Sequence, residues 1–244
     1  MKLLKYILLL TVIVIVCLVA FAPASLLDRA VRDISEVDLL NPRGSVWQGQ
    51  AALVVTGAQR GNLHWAIQPL TIATGHPTFE WQLKDPQIDL QGTAGSGFSE
   101  QSLTVQGHIA AQLLNEWLSR YLIRIEGDVQ IQPTQLKLEQ PHQVQLLDGQ
   151  IDWAGGLVRY TLSGILHETT LPPLTAYLDQ NTQAQAVATV YTQGGSTPLL
   201  MATLSEDGFA KVGMTKLFTK LLKNPWPGSD PDSTVVLEVE EKIF

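Results

Sequence analysis

Charged residues are scarce in this chain, and cysteine is nearly absent. Asp, Glu, Lys and Arg make up 16% of its 244 residues, against roughly 25% in an average globular protein. The one cysteine, Cys17, has no partner for an intramolecular disulfide, so packing has to stabilise the fold. The formal net charge of -7 makes a phosphate backbone an unfavourable partner. The composition therefore excludes a disulfide scaffold and argues against nucleic-acid binding.

The sequence also lacks the motifs that carry catalysis, metal binding or cofactor binding. Its five histidines stand singly, with no H-E-x-x-H or H-x-H spacing, so no metal site is predicted. Ser96 lacks the first glycine of a G-x-S-x-G elbow. The glycines at 92, 95 and 97 run in the reverse order of a dinucleotide fingerprint. We predict no enzyme activity and no cofactor, although carboxylates that pair only in the fold leave a glycan-active enzyme open.

A charge-free apolar run near the N-terminus determines the expected compartment. Residues 6–24 contain no charged side chain, and a helix of that length spans about 28 Å, close to the thickness of the hydrocarbon core. Lys2 and Lys5 precede the run, and the next basic residue is Arg29, so the positive-inside rule places the N-terminus in the cytoplasm. We expect a cytoplasmic segment at 1–5, a single transmembrane anchor at 6–24 and an exported domain at 25–244.

A cleaved signal peptide is the alternative interpretation of the same run. The tripeptides at 20–22 and 22–24 both resemble A-x-A cleavage sites. The run is as long as the longest signal-peptide cores, and Pro23 follows the first candidate bond, so the uncleaved anchor is preferred. Both interpretations export the bulk of the chain.

Alternating apolar and polar residues predict a mainly β protein, and several strands carry a glycine on their apolar face. Four segments, at 47–55, 105–109, 125–131 and 147–153, show this pattern. A glycine inside a strand lets a sheet bend and leaves room for a neighbouring aromatic ring. The residues given this architectural role are Trp47, Gly49, Gly107, Gly127, Gly149 and Trp153. A ligand-stacking tryptophan at position 47 is the alternative.

Further strands and turns complete the expected sheet. The additional strand segments are 62–67, 78–83, 87–90, 136–139, 157–166, 184–191, 199–204 and 234–239. The glycine-rich runs at 92–97 and 194–198 predict loops that join successive antiparallel strands. The expected topology is a curved antiparallel β-meander.

Two or three helices are predicted to pack with this sheet. The first, capped by Ser25, ends near Ile34. The second, between positions 110 and 122, carries one apolar stripe that should lie against the sheet. Its residues are Leu113, Leu114, Trp117, Leu118 and Tyr121. The third, from Met214 to a stop at Asn224-Pro225, is basic and amphipathic, and packing on the core is preferred over contact with a membrane surface.

The order of several short motifs resembles the type II secretion system protein N family. Pro-Ala-x-Leu-Leu at 23–27 is followed by Gly-Ser-Val-Trp-Gln-Gly-Gln-Ala at 44–51 and by Leu-His-Trp at 63–65. The strand at 147–153, a Glu-Asp-Gly turn at 206–208 and Asn-Pro-Trp-Pro at 224–227 follow in the order expected of that family. The glycine-punctuated strands are also similar to those of AsmA-like β-meander proteins.

This resemblance implies a non-enzymatic protein of the bacterial inner membrane with its main domain in the periplasm. It would support the machinery that exports folded proteins across the outer membrane. The implied partners are other subunits of that system, either in the inner-membrane platform or in the outer-membrane secretin. The alternative function is an AsmA-like module that binds or transfers lipid, in which case lipid would be its ligand.

Overall fold

A computed structural model describes residues 21–27, 37–68, 71, 75–97, 99–139, 143–162 and 164–242. The chain divides into two compact units, Met1–Asp85 and Pro86–Phe244. Strands dominate both units, and every strand pairing described is antiparallel. The prediction of a mainly β fold is confirmed.

The described residues of the first unit form four antiparallel strands that pair in sequence order. The strands are β1 (Val37–Gly44), β2 (Gln48–Val55), β3 (Ala58–Ile67) and β4 (Thr78–Asp85). Leu39, Ala51 and Trp65 from these strands form a core cluster with Ala24. Register shifts between Leu40 and Arg43 and after Leu53 mark bulges, which bend the strands around this core.

The end of the predicted anchor belongs to the first unit rather than to a helix. Pro23 forms a β-bridge with Ser45, and the Ala24 amide donates to the Gly44 carbonyl at 3.1 Å. Ala24 is only 1% exposed and packs in the core cluster of this unit. Positions 6–20 of the predicted anchor lie outside the described residues, so the anchor at 6–24 stays a prediction. Within the described ranges, no helix is both long and apolar enough to cross a bilayer.

In the described part of the second unit, nine antiparallel strands lie in one sheet and three in a smaller one. The large sheet has the order β5-β6-β8-β9-β12-β13-β14-β15-β16. Its strands are β5 (Ile88–Ser96), β6 (Glu100–Ile109), β8 (Val129–Glu139), β9 (Gln143–Trp153), β12 (Leu174–Gln180), β13 (Ala186–Thr192), β14 (Leu200–Leu204), β15 (Phe209–Thr215) and β16 (Val235–Lys242). The small sheet, in the order β11-β10-β7, consists of β7 (Ile123–Ile125), β10 (Gly156–Leu162) and β11 (Ile165–Leu171). The meander prediction holds, except where β7, β10 and β11 leave the main sheet.

Helix α2 (Lys216–Leu221) packs its apolar side on the core of the second unit, as predicted. Phe218 joins Val158, Leu171 and Leu199 in that core. The helix begins two residues later than expected, because the hydroxyl of Thr215 accepts a hydrogen bond from the Phe218 amide and fixes the N-terminus there. At the other end, the hydroxyls of Tyr160 and Thr169 donate to carbonyl oxygens of the last turn.

Helix α1 (Ala111–Leu118) packs only the first half of its predicted apolar stripe. Leu113 is buried, but Trp117 is 51% exposed and Tyr121 is 48% exposed. The Asn115 side chain bonds both the amide and the carbonyl of Ile125 at 2.8 Å, which holds the helix beside β7. After Leu118 the chain tightens into a 3-10 turn, so Tyr121 no longer continues the α-helical stripe. Of the helix predicted from Ser25, only Ser25–Leu27 is described, and those residues are helical.

The segments predicted at 92–97 and 157–166 have other structures than expected. Residues 92–96 of the glycine-rich stretch at 92–97 form the end of β5 rather than a loop, and Gly92 and Ala94 face the larger Val105 and Leu103 across the ladder. The single strand predicted at 157–166 is instead a hairpin of β10 and β11. Gly164, with φ of +80°, makes the turn.

Candidate functional site

Trp65, rather than Trp47, covers the glycine of the opening strand. Gly49 pairs with Trp65 across β2 and β3, and a Cβ added at Gly49 would lie 2.5 Å from Cζ2 of that indole. Trp65 is 7% exposed, and its indole N–H donates to the Ser45 carbonyl at 3.3 Å. Trp47 precedes β2 in a bend and is half-buried. The predicted device of a tryptophan over a glycine is present, but the prediction assigned it to the wrong tryptophan.

Gly127 and Gly149 also contact different partners from those expected. Gly127 does not lie in a strand: it is a bend with φ of +80° between β7 and β8, where a Cβ would overlap the Gly155 carbonyl oxygen. The Trp153 indole holds this bend by donating to the Glu126 carbonyl at 2.8 Å and to the Gly127 carbonyl at 3.0 Å. Gly149 does lie in β9, but the space that a side chain at this position would occupy is filled by Thr134 rather than by an aromatic ring.

Gly107 lies inside β6, as predicted, next to a register shift between β6 and β8. Its φ of +141° is a conformation that side-chain-bearing residues rarely adopt. A Cβ there would overlap the Asp89 carbonyl oxygen of β5. This glycine therefore permits both a bulge and a close approach between two strands.

A polar cleft of about 210 Å³ beside Trp153 contains two carboxylates, Asp128 and Asp152. Asp152 accepts hydrogen bonds from Gln132, Gln150 and Thr175, at 2.8 to 3.0 Å. These donors come from β8, β9 and β12, so the network joins three adjacent strands. In the sequence, the local sign of this cleft is a Gln-x-Asp at 150–152 inside an alternating strand, which does not by itself predict a site.

Asp128 is bound at the start of α1. Its Oδ1 accepts from the Ala111 amide at 3.0 Å, and its Oδ2 lies 3.1 Å from Nε2 of His108. Ala110 provides no side-chain cap for α1. Asp128, although distant in the sequence, therefore accepts a hydrogen bond from a backbone N–H at the helix N-terminus. The backbone hydrogen bond from Ala111, with a smaller contribution from His108, lowers the pKa of Asp128.

The electrostatics of the cleft favour two ionised carboxylates. Partial burial opposes ionisation of Asp152, but the hydrogen bonds from Gln150, Gln132 and Thr175 outweigh it and lower its pKa. Glycoside cleavage needs one carboxyl with a raised pKa to serve as the acid. Neither Asp128 nor Asp152 meets that requirement. In the part of the chain that the structure describes, no three potential metal ligands cluster.

Asp152→Asn should lower the free energy of unfolding by about 1 kcal/mol at pH 7, since a half-buried charged acceptor is lost. The lowered pKa of Asp152 means that its contribution is complete above the ordinary value of 3.8 and is lost as the pH falls through the folded value. Urea unfolding from pH 7 to pH 2 measures this difference. The two proteins should become equally stable at the acid end, and a difference independent of pH would contradict the prediction.

A comparison with protein-family models identifies the relatives of this chain. The model of the type II secretion system protein N family matches residues 35–223. The chain belongs to this family. The resemblance seen in the motifs is thereby confirmed, and the match extends from just before β1 to just after α2. No curated protein and no solved structure matches the chain.

Family membership supports a role in type II secretion and implies contact with other subunits of that system. A segment that binds another chain should expose unpaired backbone groups or apolar side chains. β16 exposes both, and it lies beyond the residues that the family model matches.

β16 ends the strand order of the large sheet, with β15 as its partner on one side. No described strand pairs with the other side. Leu237 and Val239 are 45% and 57% exposed on one face, while Glu238 and Glu240 occupy the other. Glu238 forms a 2.8 Å ion pair with Lys211. The strand thus offers an open, partly apolar and acidic edge.

A buried lysine attaches the segment that leads to β16. Lys216 is 4% exposed, and its ammonium donates to the carbonyls of Gly228 and Asp230. The hydroxyl of Thr219, one turn further along α2, accepts from the Trp226 amide at 3.1 Å. Lys216 and Thr219 together hold residues 226–230 against α2.

Proposed function

We propose that this protein is a non-enzymatic inner-membrane component of the type II secretion system. The apolar run that begins at Tyr6 holds it in the bilayer as a single-pass protein with a cytoplasmic N-terminus. Its two units lie in the periplasm, where β16 binds another subunit of the platform or the secretin. The family match and the charge asymmetry around the apolar run support this proposal.

The open edge of β16 is the observation that carries the binding part of the proposal. An extended segment of a partner adds to such an edge through main-chain hydrogen bonds, and alternate side chains give specificity. Leu237 and Val239 would contact apolar residues of the partner strand on one face. Glu240 on the other face favours a basic residue in the partner. The chemistry therefore fits a strand that alternates apolar and basic side chains.

Deleting the gene should leave folded exoproteins in the periplasm, with export across the inner membrane unchanged. Complementation with the double variant Leu237→Lys/Val239→Lys should fail to restore secretion, because two exposed apolar contacts are lost, and each costs the complex about 1 kcal/mol or more. The measurement is the exoprotein fraction in periplasm and medium.

Tyr177→Lys supplies the matched control for this experiment. Tyr177 is 51% exposed on β12, a strand of the same sheet with neighbours on both sides. This variant should secrete normally. Normal secretion by the deletion strain would reject the function, whereas normal secretion by the β16 double variant would reject only the binding edge.

Lipid binding is the second candidate function, and one row of side chains favours it. Leu178, Ala188, Ala202, Val212 and Val239 are consecutive partners across five strands on one face of the large sheet. Small residues in the middle of such a row leave a shallow apolar channel that an acyl chain fits. Lipid that co-purifies with the full-length chain would support this function.

A further inference from the structure

A larger cleft lies in the first unit, on the side of β1, β2 and β3 opposite to Leu39 and Trp65. We call it the β1–β3 cleft. Its volume is about 400 Å³, within the range of about 300 to 1,000 Å³ that small-molecule sites occupy. Five of the described residues that line it have polar side chains, and none is acidic. The five are Asn41, Arg43, Gln50, Asn62 and His64.

Strand pairing places four of these side chains in two adjacent rows on one face. Arg43 pairs with Gln50, and Gln50 pairs with His64, so the three form one row across the strands. Residues directly opposite one another in an antiparallel ladder have their side chains on the same face. The next row, two residues further along β2, consists of Leu40, Ala52 and Asn62. Because Ala52 is small, it leaves a hollow between its two larger neighbours.

A bulge in β1 adds the fifth polar side chain. Between the two rows, β1 has two residues, Asn41 and Pro42, where β2 has one. Asn41 has φ of +53°, a conformation that asparagine adopts more readily than most residues with a side chain. The irregularity that bends β1 therefore also brings Asn41 to the cleft.

The five polar side chains are not used to hold the protein together. None of them has a hydrogen-bond or ion-pair partner among the described residues. In the second unit, by contrast, Gln132 and Gln150 both donate to Asp152. A single solvated side chain needs no partner, but five that border one hollow can contact one ligand together.

The preference of the cleft for an anion depends on Arg43 alone. Among the lining residues only Arg43 carries a formal charge. Around the cleft on the same face lie the acidic Asp38 and Glu80 and the basic Lys84. Glu80 accepts a hydrogen bond from the Gln68 amide at 2.7 Å. The surrounding surface is therefore not basic as a whole, and a ligand has to be recognised by groups inside the cleft.

We propose that the β1–β3 cleft binds a sugar that carries one acidic group. The planar guanidinium of Arg43 presents a fork of donors that matches a carboxylate or a phosphate. The three amide side chains and the His64 ring both donate and accept, as sugar hydroxyls do. Leu40 is 50% exposed and offers an apolar surface to the C–H groups of the ring.

An acidic side chain of a protein partner fits the cleft less well than an acidic sugar. It would occupy Arg43 but would bring no hydroxyl groups for the amides, which would stay without a partner. Sugar binding here goes beyond the proposed subunit binding through β16 and does not depend on it, since the cleft belongs to the first unit and β16 to the second.

Titration of small probes into the purified full-length chain, held in phosphatidylcholine nanodiscs, tests the site. Glucuronate and glucose 6-phosphate carry the acidic group as a carboxylate and as a phosphate. Glucose lacks the acidic group, whereas acetate and inorganic phosphate lack the hydroxyls. Saturation-transfer NMR of each probe measures its dissociation constant.

We expect at least one of the two acidic sugars to bind tenfold or more tightly than glucose and than its acid alone. The tighter of the two identifies the acidic group. Arg43→Gln should weaken this binding about tenfold, the effect of losing one charge-assisted hydrogen bond. Arg124→Gln, which removes an exposed arginine from the second unit, is the matched control and should leave binding unchanged. Circular dichroism of each variant checks that the sheet is intact.

Three outcomes would overturn the proposal. The first is that neither acidic sugar binds. The second is that glucose, or the acid alone, binds as tightly as the acidic sugar, which would mean that the cleft does not recognise both parts of the ligand. The third is an equal effect of Arg43→Gln and Arg124→Gln, which would place the binding outside the cleft. The sample contains no other secretion subunit, so this result and the secretion result can fail separately.

Discussion

Trp65→Ala should lower the free energy of unfolding by about 3 to 5 kcal/mol, the usual cost of removing a buried aromatic side chain. Trp65 is 7% exposed and packs with Ala24, Leu39 and Ala51. Its removal leaves a cavity above Gly49, and the Ser45 carbonyl loses the indole donor at 3.3 Å. The surrounding residues are small or held in strands, so the core cannot collapse to fill the space. Urea unfolding followed by circular dichroism measures the loss.

Trp47→Ala is the matched control, because it removes the same side chain from a half-buried bend two residues before Gly49. The loss there should be well below that of Trp65→Ala, since less apolar surface is returned to water. An equal or larger loss for Trp47→Ala would show that Trp47 is the core aromatic, as the sequence alone predicts.

The contrast between these tryptophans shows what alternation can and cannot predict. A repeat of two fixes which side chains of one strand share a face, whatever lies next to that strand. It does not fix the residue across the ladder. Gly49 meets Trp65 because a register shift after Leu53 sets how β2 pairs with β3, and register depends on turn and bulge geometry that a single strand pattern does not contain.

Glycine led to two opposite errors in the prediction: a strand was predicted where the chain bends, and a loop was predicted where the chain forms a strand. At 125–131 the alternation continues through Gly127, although the chain leaves one sheet for the other there. At 92–97 glycine density suggested a loop, yet Gly92 and Ala94 face Val105 and Leu103, whose size compensates for the small residues. The difference lies in the partner strand, so it could not be seen locally.

The polar cleft could not be predicted from the sequence for a similar reason. The donors to Asp152 are Gln132, Gln150 and Thr175, which come from three strands spread over more than forty positions of the sequence. Apolar periodicity, in contrast, is repeated in every strand, and this redundancy made the fold class and the packing of α2 predictable. Features built from a single residue of each strand have no such redundancy.

Gly107→Ala should lower the free energy of unfolding by about 3 kcal/mol, because two costs add. The φ of +141° strains any residue with a Cβ, and that Cβ would also displace the Asp89 carbonyl of β5. Gly194→Ala separates the two costs. Gly194 also has a positive φ, of +75°, but a Cβ there meets nothing within 4 Å, so only the backbone cost of about 1 kcal/mol remains. If thermal unfolding gives equal losses for both variants, the close approach of β5 contributes nothing. If Gly107→Ala costs more, as we expect, the excess measures the contribution of the close approach between Gly107 of β6 and the Asp89 carbonyl of β5.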